Sequence, residues 1–239
     1  MDEGAFLERY DPNAFERPSV AVDLILMSVV DGVPAILLAA RRQHPFAGFW
    51  ALPGGFVGMD ESLDDAAHRI LRDKAHMTEA YVEQLYTFGA VDRDPRMRVI
   101  SVAYFALLPA DRFVAALKAA PELRLARLAM PGSKQRVEAR IDDGEPVHFA
   151  FDHGMMIGVA LERLRGKLDY SGIAFALLPE RFTLRMLQEV YEAILGRCVN
   201  KPAFRRRMLD RGWLVAAGER EAGASFRPAE LYRFRGQAR

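Results

Sequence analysis

Gly48-Phe49-Trp50-Ala51-Leu52-Pro53-Gly54-Gly55-Phe56-Val57-Gly58-Met59-Asp60-Glu61 is the stretch on which the reading of the fold turns. Its apolar lead-in has the character of a strand end. The adjacent Gly54 and Gly55 let the backbone approach another group more closely than a Cβ would permit. Apolar residues then recur at helical spacing from Leu63 to Ala75. Glu61 follows Gly55 by six positions, and Arg69 follows Glu61 by eight. Asp60, Asp64 and Asp65 place negative charge where the helix begins, opposite the positive end of its dipole.

Upstream, Ser19 to Val30 and Pro34 to Ala40 flank the turn signal Asp31-Gly32 and predict a hairpin. Downstream, strands are predicted over Tyr86–Val91 and Val99–Leu108, on either side of the polar loop Asp92-Arg93-Asp94-Pro95-Arg96. A further hairpin is predicted from Arg136–Ile141 and Val147–Phe151, and a short helix from Asp111 to Ala119. Asp152 is placed to cap a longer helix whose apolar face holds Met156, Val159, Ala160, Leu164 and Leu168. The organisation that follows is a first domain over 1–150, a connecting helix and linker over 151–179, and a second domain over 180–239.

Of the 239 residues, 51% are apolar and 27% charged, enough for a packed core and against global disorder. No apolar run approaches the ~18 residues of a membrane helix. The acidic start, Met1 to Arg9, has no hydrophobic signal segment, and Cys198 is the only cysteine, which excludes an intramolecular disulfide and a multi-cysteine zinc site. The expected location is the cytoplasm. The net charge of +1 conceals an asymmetry: residues 180–239 hold 13 Lys/Arg against 7 Asp/Glu, so the first 179 carry a net −5. Such a basic tail suits an anionic partner.

In that tail Thr183 caps a predicted helix over Leu184–Leu195, closed by Gly196. Asn200 caps a second, Lys201-Pro202-Ala203-Phe204-Arg205-Arg206-Arg207-Met208-Leu209-Asp210, with Pro202 in its first turn. Phe204 and Met208 share one face; Lys201 and Arg205, with Arg206 alongside, take another. Two helices about a short turn, the second cationic, predict a helix-turn-helix; a strand at Trp213–Ala216, a Gly-rich loop and a return strand at Leu231–Phe234 add a wing. Asn200, Lys201, Arg205, Arg206 and Arg207 are the candidate DNA-contacting residues, with Arg227 in the wing.

The spacing of Gly55, Glu61 and Arg69 resembles the Nudix box, G-x5-E-x7-R-E-U-x-E-E-x-G-U with U aliphatic, and Leu52-Pro53-Gly54-Gly55 is also typical of that family. The resemblance implies an α/β fold, a Nudix-type α/β/α sandwich around a mixed sheet, and hydrolysis assisted by divalent metal. This sequence departs from the box at four places: Ile70, Asp73 and Lys74 stand where it has glutamate, and His76 where it has glycine. Lys74 sets an ammonium against the cation; at ~4 Å that repulsion costs about 1 kcal/mol even in water and several in a drier site. The expectation is therefore no catalytic residue, no metal and no required cofactor, in a domain that still binds a nucleotide-like ligand. Arg41, Arg42, Arg93 and Arg96 are its candidate phosphate ligands, Trp50 and Phe88 its candidate stacking surfaces, and Gly54, Gly55, Glu61 and Arg69 complete the candidate set.

A Nudix-like domain joined to a winged helix is similar to the NrtR family, the Nudix-related transcriptional regulators of NAD metabolism. The stretches that carry the likeness include Thr87-Phe88-Gly89, Arg93-Asp94-Pro95-Arg96, Phe151-Asp152-His153, Ile173 to Pro179, Tyr191 to Gly196 and Arg227-Pro228-Ala229. The family implies a homodimer on a palindromic operator in double-stranded DNA, repression of genes for NAD synthesis or salvage, and ADP-ribose or a related NAD metabolite as the effector. Two alternatives stand beside it: a Nudix hydrolase of ADP-ribose or another nucleoside diphosphate derivative, and a Nudix-like regulator of sugar catabolism.

Overall fold

A computed structural model of the chain describes residues 2–129, 137–142, 144–222 and 228–236. In chain order its elements are α1 (Glu3–Arg9), β1 (Ser19–Val30), β2 (Val33–Ala40), β3 (Trp50–Ala51), β4 (Gly54–Phe56), α2 (Leu63–Ala75), β5 (Tyr81–Phe88), β6 (Val99–Leu107), α3 (Ala110–Ala119), β7 (Leu123–Ala129), β8 (Glu138–Ile141), α4 (His153–Lys167), a 3-10 turn (Ile173–Leu177), α5 (Leu184–Leu195), α6 (Lys201–Asp210), β9 (Leu214–Arg220) and β10 (Glu230–Phe234).

The first sheet runs β5-β6-β1-β2-β7-β8, with β3 on β2 and β4 on β1. Only β1 and β6 are parallel; the other pairs are antiparallel, so the sheet is mixed. The composition of β1 explains its central place. Val22, Leu24 and Leu26 pack with α2 and α3, while Ile25 and Met27 belong to the core on the α4 side. A strand covered on both faces is apolar throughout rather than alternating. The resulting layers, helices on both sides of a mixed sheet, are the α/β/α sandwich expected above.

α2 has the bounds its periodicity predicts, buries Ala66, Ala67, Ile70, Leu71 and Ala75, and starts with a reciprocal Ser62–Asp65 capping box. It ends at His76, exposed and held in the left-handed region at φ 53°. A side chain there crowds the backbone, which is why glycine is the usual residue at such an end.

Several boundaries differ from the sequence reading. The strand predicted over 86–91 is β5 at Tyr81–Phe88; the apolar side chains of Leu85 and Phe88 fix its buried face, and the chain has already turned by Val91. Val147–Phe151 is not a full hairpin strand: the chain turns back on β8 only through the Arg140–Pro146 bridge and the Val147 N–H to the Ala139 carbonyl, then leaves it to bond with Trp50 at His148 and Ala150. β7 itself, Leu-Arg-Leu-Ala-Arg-Leu-Ala, is absent from the sequence reading; its alternation breaks at Leu125-Ala126, so its period is not cleanly that of a strand. Asp152 does not cap α4 with its side chain; its carboxylate is engaged elsewhere, as shown below. Arg136, at the start of the predicted hairpin, lies outside the described residues.

The C-terminal region forms the predicted helix pair and wing. Thr183 and Asn200 cap α5 and α6, Gly196 closes α5 in the left-handed region, and β9 pairs with β10. Phe182 and Tyr232 exchange backbone N–H···O bonds of 3.0 and 2.8 Å, an isolated bridge that ties the start of the C-terminal region to the two-stranded wing. The apolar core does not stop at the domain boundary. One cluster runs from Phe105 and Leu107 of β6 through Met156 and Leu164 of α4 to Phe175, Leu178, Phe182, Leu187, Tyr191, Phe204 and Met208. Among the described residues no helix is long and apolar enough to cross a membrane.

The left-handed His76 yields a prediction. His76→Gly removes the backbone strain while losing little else, so it raises the free energy of unfolding by about 0.5–1 kcal/mol after the larger entropy of the unfolded glycine is counted. Urea denaturation measures it; a loss of stability would mean that the imidazole makes contacts worth more than the strain.

Candidate functional site

A cavity of about 210 Å³ opens where β1, β4, the 92–98 loop and the start of α4 meet. Its walls include Asp23, Arg41, Gly54, Gly55, Phe56, Arg93, Asp94, Arg96, Phe151 and His153. Gly54 is required by close approach: a Cβ there would collide with the Asp23 carboxylate and the Val22 carbonyl.

Arg93 is the floor of the cavity, its side chain only 4% exposed. Asp152 accepts two bonds from it, 3.0 Å from Nε and 2.7 Å from Nη2, and Asp23 lies 3.5 Å from Nη2. Burial works against the charge of Arg93, but Asp152, Asp23 and Asp94 outweigh it and hold the guanidinium pKa above its ordinary value. Asp23 also accepts the Ser101 hydroxyl at 2.6 Å. His153 Nδ1 accepts the Leu52 N–H at 2.9 Å, which assigns the ring proton to Nε2, 3.6 Å from Asp23. Burial keeps His153 neutral, its pKa below the ordinary imidazole value despite the opposing pull of Asp23 and Asp152.

Arg96 and Arg41 line the upper wall. Arg96 is matched by Asp94, with contacts of 3.0 and 2.8 Å. Arg41 donates Nε to the Pro45 carbonyl at 2.8 Å and pairs with no described carboxylate. Its pKa is lowered, first by burial and then by Arg96. Both guanidinium groups lie over the Phe151 ring, at 4.8 and 5.9 Å, and Arg96 lies 5.9 Å from that of Phe56. The cavity therefore offers one unpaired cation, a second cation beside it and two aromatic faces, which suits an anionic ligand with a flat ring.

Of the residues expected at this site, Arg41, Gly54, Gly55, Arg93 and Arg96 meet in the cavity. Arg42 points to solvent from the loop after β2. Trp50 packs against the α4-side core, and Phe88, 6% exposed, is part of that core and has no face to offer a base. The aromatic rings that line the cavity are Phe56 and Phe151. Glu61 and Arg69 serve the scaffold: Arg69 binds Glu61 through Nε (2.9 Å) and Nη2 (2.6 Å) and reaches the Phe56 carbonyl, while Glu61 accepts the Gly58 N–H at 2.7 Å. Together they tie the Phe56–Glu61 loop to α2.

The box positions that should supply carboxylates are otherwise employed. Ile70 is 1% exposed in the core between α2 and the sheet, where its burial contributes roughly 1.5–3 kcal/mol. Asp73 and Lys74 are exposed on the last turn of α2. Among the described residues no group of three or more His, Cys, Asp or Glu side chains is arranged to hold a metal ion.

The second surface lies on α6. Lys201, Arg205 and Arg206 are exposed, and none has a carboxylate partner among the described residues. Arg207 turns the other way, over the rings of Tyr191 and Phe204 and 3.7 Å from Asp169. The Asn200 side chain accepts the Ala203 N–H and so caps the helix. Arg227 lies outside the described residues.

The residues that sequence reasoning left out are Asp23, Phe56, Asp94, Phe151, Asp152 and His153. Asp23 had a signal, a lone acid inside an otherwise apolar strand. Asp152 and His153 had only their place in the stretch Phe151-Asp152-His153 that carries the family likeness; their contacts were not legible, since their partners Arg93, Leu52 and Asp23 are remote in sequence.

Comparison with known proteins fits both halves of this geometry. Residues 17–128 match the NUDIX domain and 174–234 the NrtR DNA-binding winged helix domain. The ADPR responsive transcriptional repressor NtrR of Acinetobacter baylyi is 36% identical over 234 residues, 97% of this chain and 88% of the relative. The chain belongs to the NrtR family. The crystal structure of Shewanella oneidensis NrtR complexed with a 27mer DNA is 32% identical, covers 90% of this chain and 93% of its own, and superposes with a TM-score of 0.74. A MutT/nudix family protein from Enterococcus faecalis matches at 25% identity with a TM-score of 0.78, over 98% of this chain and 94% of its own. The match to the NrtR structure spans the cavity-bearing sheet and the α6 surface alike.

The Glu61–Arg69 pair gives a pH test. Arg69, then the Gly58 N–H, lower the Glu61 pKa from an ordinary 4.5 to about 2. A carboxyl depressed on folding stabilises the native state above its unfolded pKa, and that contribution fades as pH falls from about 4.5 toward 2. The stability gap between the wild type and Glu61→Gln is accordingly full at pH 7, narrows below pH 4.5 and closes near pH 2. Denaturant titrations at stepped pH measure it; a gap independent of pH would show that the pair is not formed.

Proposed function

We propose that this chain is a DNA-binding transcriptional repressor that responds to ADP-ribose or a related NAD metabolite, acting on genes of NAD synthesis or salvage. The observation that carries the reading is the union, in one chain, of a cavity holding Arg41 and an α6 surface holding three cations, none of the four paired with a carboxylate among the described residues. The relative's name, an ADPR responsive repressor, supplies the ligand and the sign of the response.

The chemistry fits each part. A diphosphate placed beside Arg41 and Arg96 relieves the repulsion between the two guanidinium groups and takes charge-assisted hydrogen bonds from both. Phe151 and the partly exposed Phe56 give an adenine or a ribose a face to lie on. On α6, Lys201, Arg205 and Arg206 meet DNA phosphates or base edges, and two copies of the chain would read a palindrome. Hydrolysis does not fit. A glutamate at position 70 would be buried without a partner, and Lys74 repels a cation.

Two measurements test the reading. Fluorescence anisotropy with a labelled duplex from the region upstream of the chain's own gene gives specific, salt-sensitive binding. Changing Lys201, Arg205 and Arg206 together to Ala weakens it at least tenfold and lowers the slope of log K against log salt by about 3. Calorimetry in Mg²⁺ shows ADP-ribose bound without release of AMP, and Arg41→Ala weakens that binding tenfold or more. Equal affinity for all duplexes, or steady AMP production, would sink the proposal.

A further inference from the structure

α4 joins the two surfaces. Its first turn lies in the cavity: Phe151 and His153 are part of the wall, and Asp152 gives its carboxylate to Arg93 rather than to the helix N-terminus. Phe151, just before it, is held at φ 50°, a strained backbone state for an aromatic residue. Fifteen residues, about 22 Å, separate this turn from the other end of the helix. There the contacts change partner. Arg165 Nε donates to the Ile194 carbonyl of α5 at 2.7 Å, and the Tyr191 hydroxyl of α5 donates to the Leu168 carbonyl at 2.9 Å. Asp169 receives Arg211 on its carbonyl and faces Arg207 of α6. Arg211 lies 4.6 Å over the Trp213 ring at the root of the wing. Between the ends, Met156, Ile157, Ala160, Leu161 and Leu164 seat the helix on the sheet, and Lys167 and Arg163 fasten its last turns to Glu83 and the Leu85 carbonyl of β5.

We infer that α4 is the lever that couples the two surfaces, with Asp152 as its latch and Arg165 and Tyr191 as positioning residues at its output. An anionic ligand competes with Asp152 for Arg93. When it takes Arg93, the first turn is unlatched and the helix tilts about its mid-length seat on the sheet near Ala160; its far end then moves the opposite way, loosening the Arg163 and Lys167 contacts to β5, and the contacts through Arg165, Leu168 and Asp169 re-seat α5 and α6. The latched arrangement is the one that binds DNA, so ligand and DNA oppose each other through a single two-state element. This inference rests on the ligand-responsive, DNA-binding reading above, and its test separates the two.

The test compares the wild type with Asp152→Asn and with Arg165→Gln/Tyr191→Phe, a pair of changes about 22 Å from the cavity. Each is also made with Trp50→Phe, which leaves Trp213 the only tryptophan of the original two. ADP-ribose affinity is measured by calorimetry, duplex affinity by anisotropy with and without saturating ADP-ribose, and Trp213 emission on addition of ADP-ribose. In Arg165→Gln/Tyr191→Phe, ADP-ribose binds within twofold of wild type, but the ligand-induced loss of duplex affinity shrinks at least fivefold and Trp213 ceases to respond. Asp152→Asn shrinks the same ratio from the other end of the helix. Wild-type ratios and an unchanged Trp213 response in both variants would overturn the lever. If the paired change unfolds the protein by circular dichroism, Tyr191→Phe alone, which deletes one oxygen, decides the matter. A wild type that binds ADP-ribose but no duplex refutes the functional reading while Trp213 still judges the lever, and a wild type that binds neither refutes both.

Discussion

The buried guanidinium of Arg93 is the constraint on which the rest of the architecture depends. A charge taken that far out of water is tolerated only where its partners are close and well aligned, and removing one partner of such a pair costs about 3–5 kcal/mol. Arg93 finds them on two separate elements, Asp23 of the central strand and Asp152 ahead of α4. One residue of the 92–98 loop thereby fixes the sheet, the loop and the helix on the far face relative to one another. Arg93 and Asp23 line the cavity and Asp152 holds Arg93 from behind, so the pocket and the packing of α4 are consequences of one electrostatic arrangement.

Against that frame the changes in the metal-binding box are local. The carboxylate expected after Arg69 is replaced by Ile70, whose side chain joins the core formed by Val22, Leu24 and Leu26. Glu61 and Arg69, the two charged box residues that persist, satisfy each other and brace a loop. Of the positions that depart from the box, Ile70 has gone to packing, while Asp73 and Lys74 stay at the surface of α2.

The large periodic elements were legible in the sequence. β1, α2, α5 and α6 have the bounds that their apolar spacing and capping residues dictate, because there local preference and tertiary burial agree. The failures share a different cause. Val147–Phe151 looks like a strand from composition, yet its backbone is claimed by Trp50, about a hundred residues away in the chain, which no local signal announces. Asp152 looked like a cap, and a distant arginine claimed it. At the cavity, the arginines and glycines could be named from motif and charge, but Trp50 and Phe88 could not be told from Phe56 and Phe151: all four are aromatic, and only the three-dimensional arrangement says which ring faces the opening.

The apolar cluster that passes unbroken from the sheet into the winged helix has a bearing on how such proteins arise. Phe175, Leu178 and Phe182 are covered from both sides, so neither half of the chain owns a complete interior. A reading head of this kind is not an interchangeable cassette that recombination can splice onto any receptor. Descent has to carry the two halves together, and their surfaces of contact must drift in step.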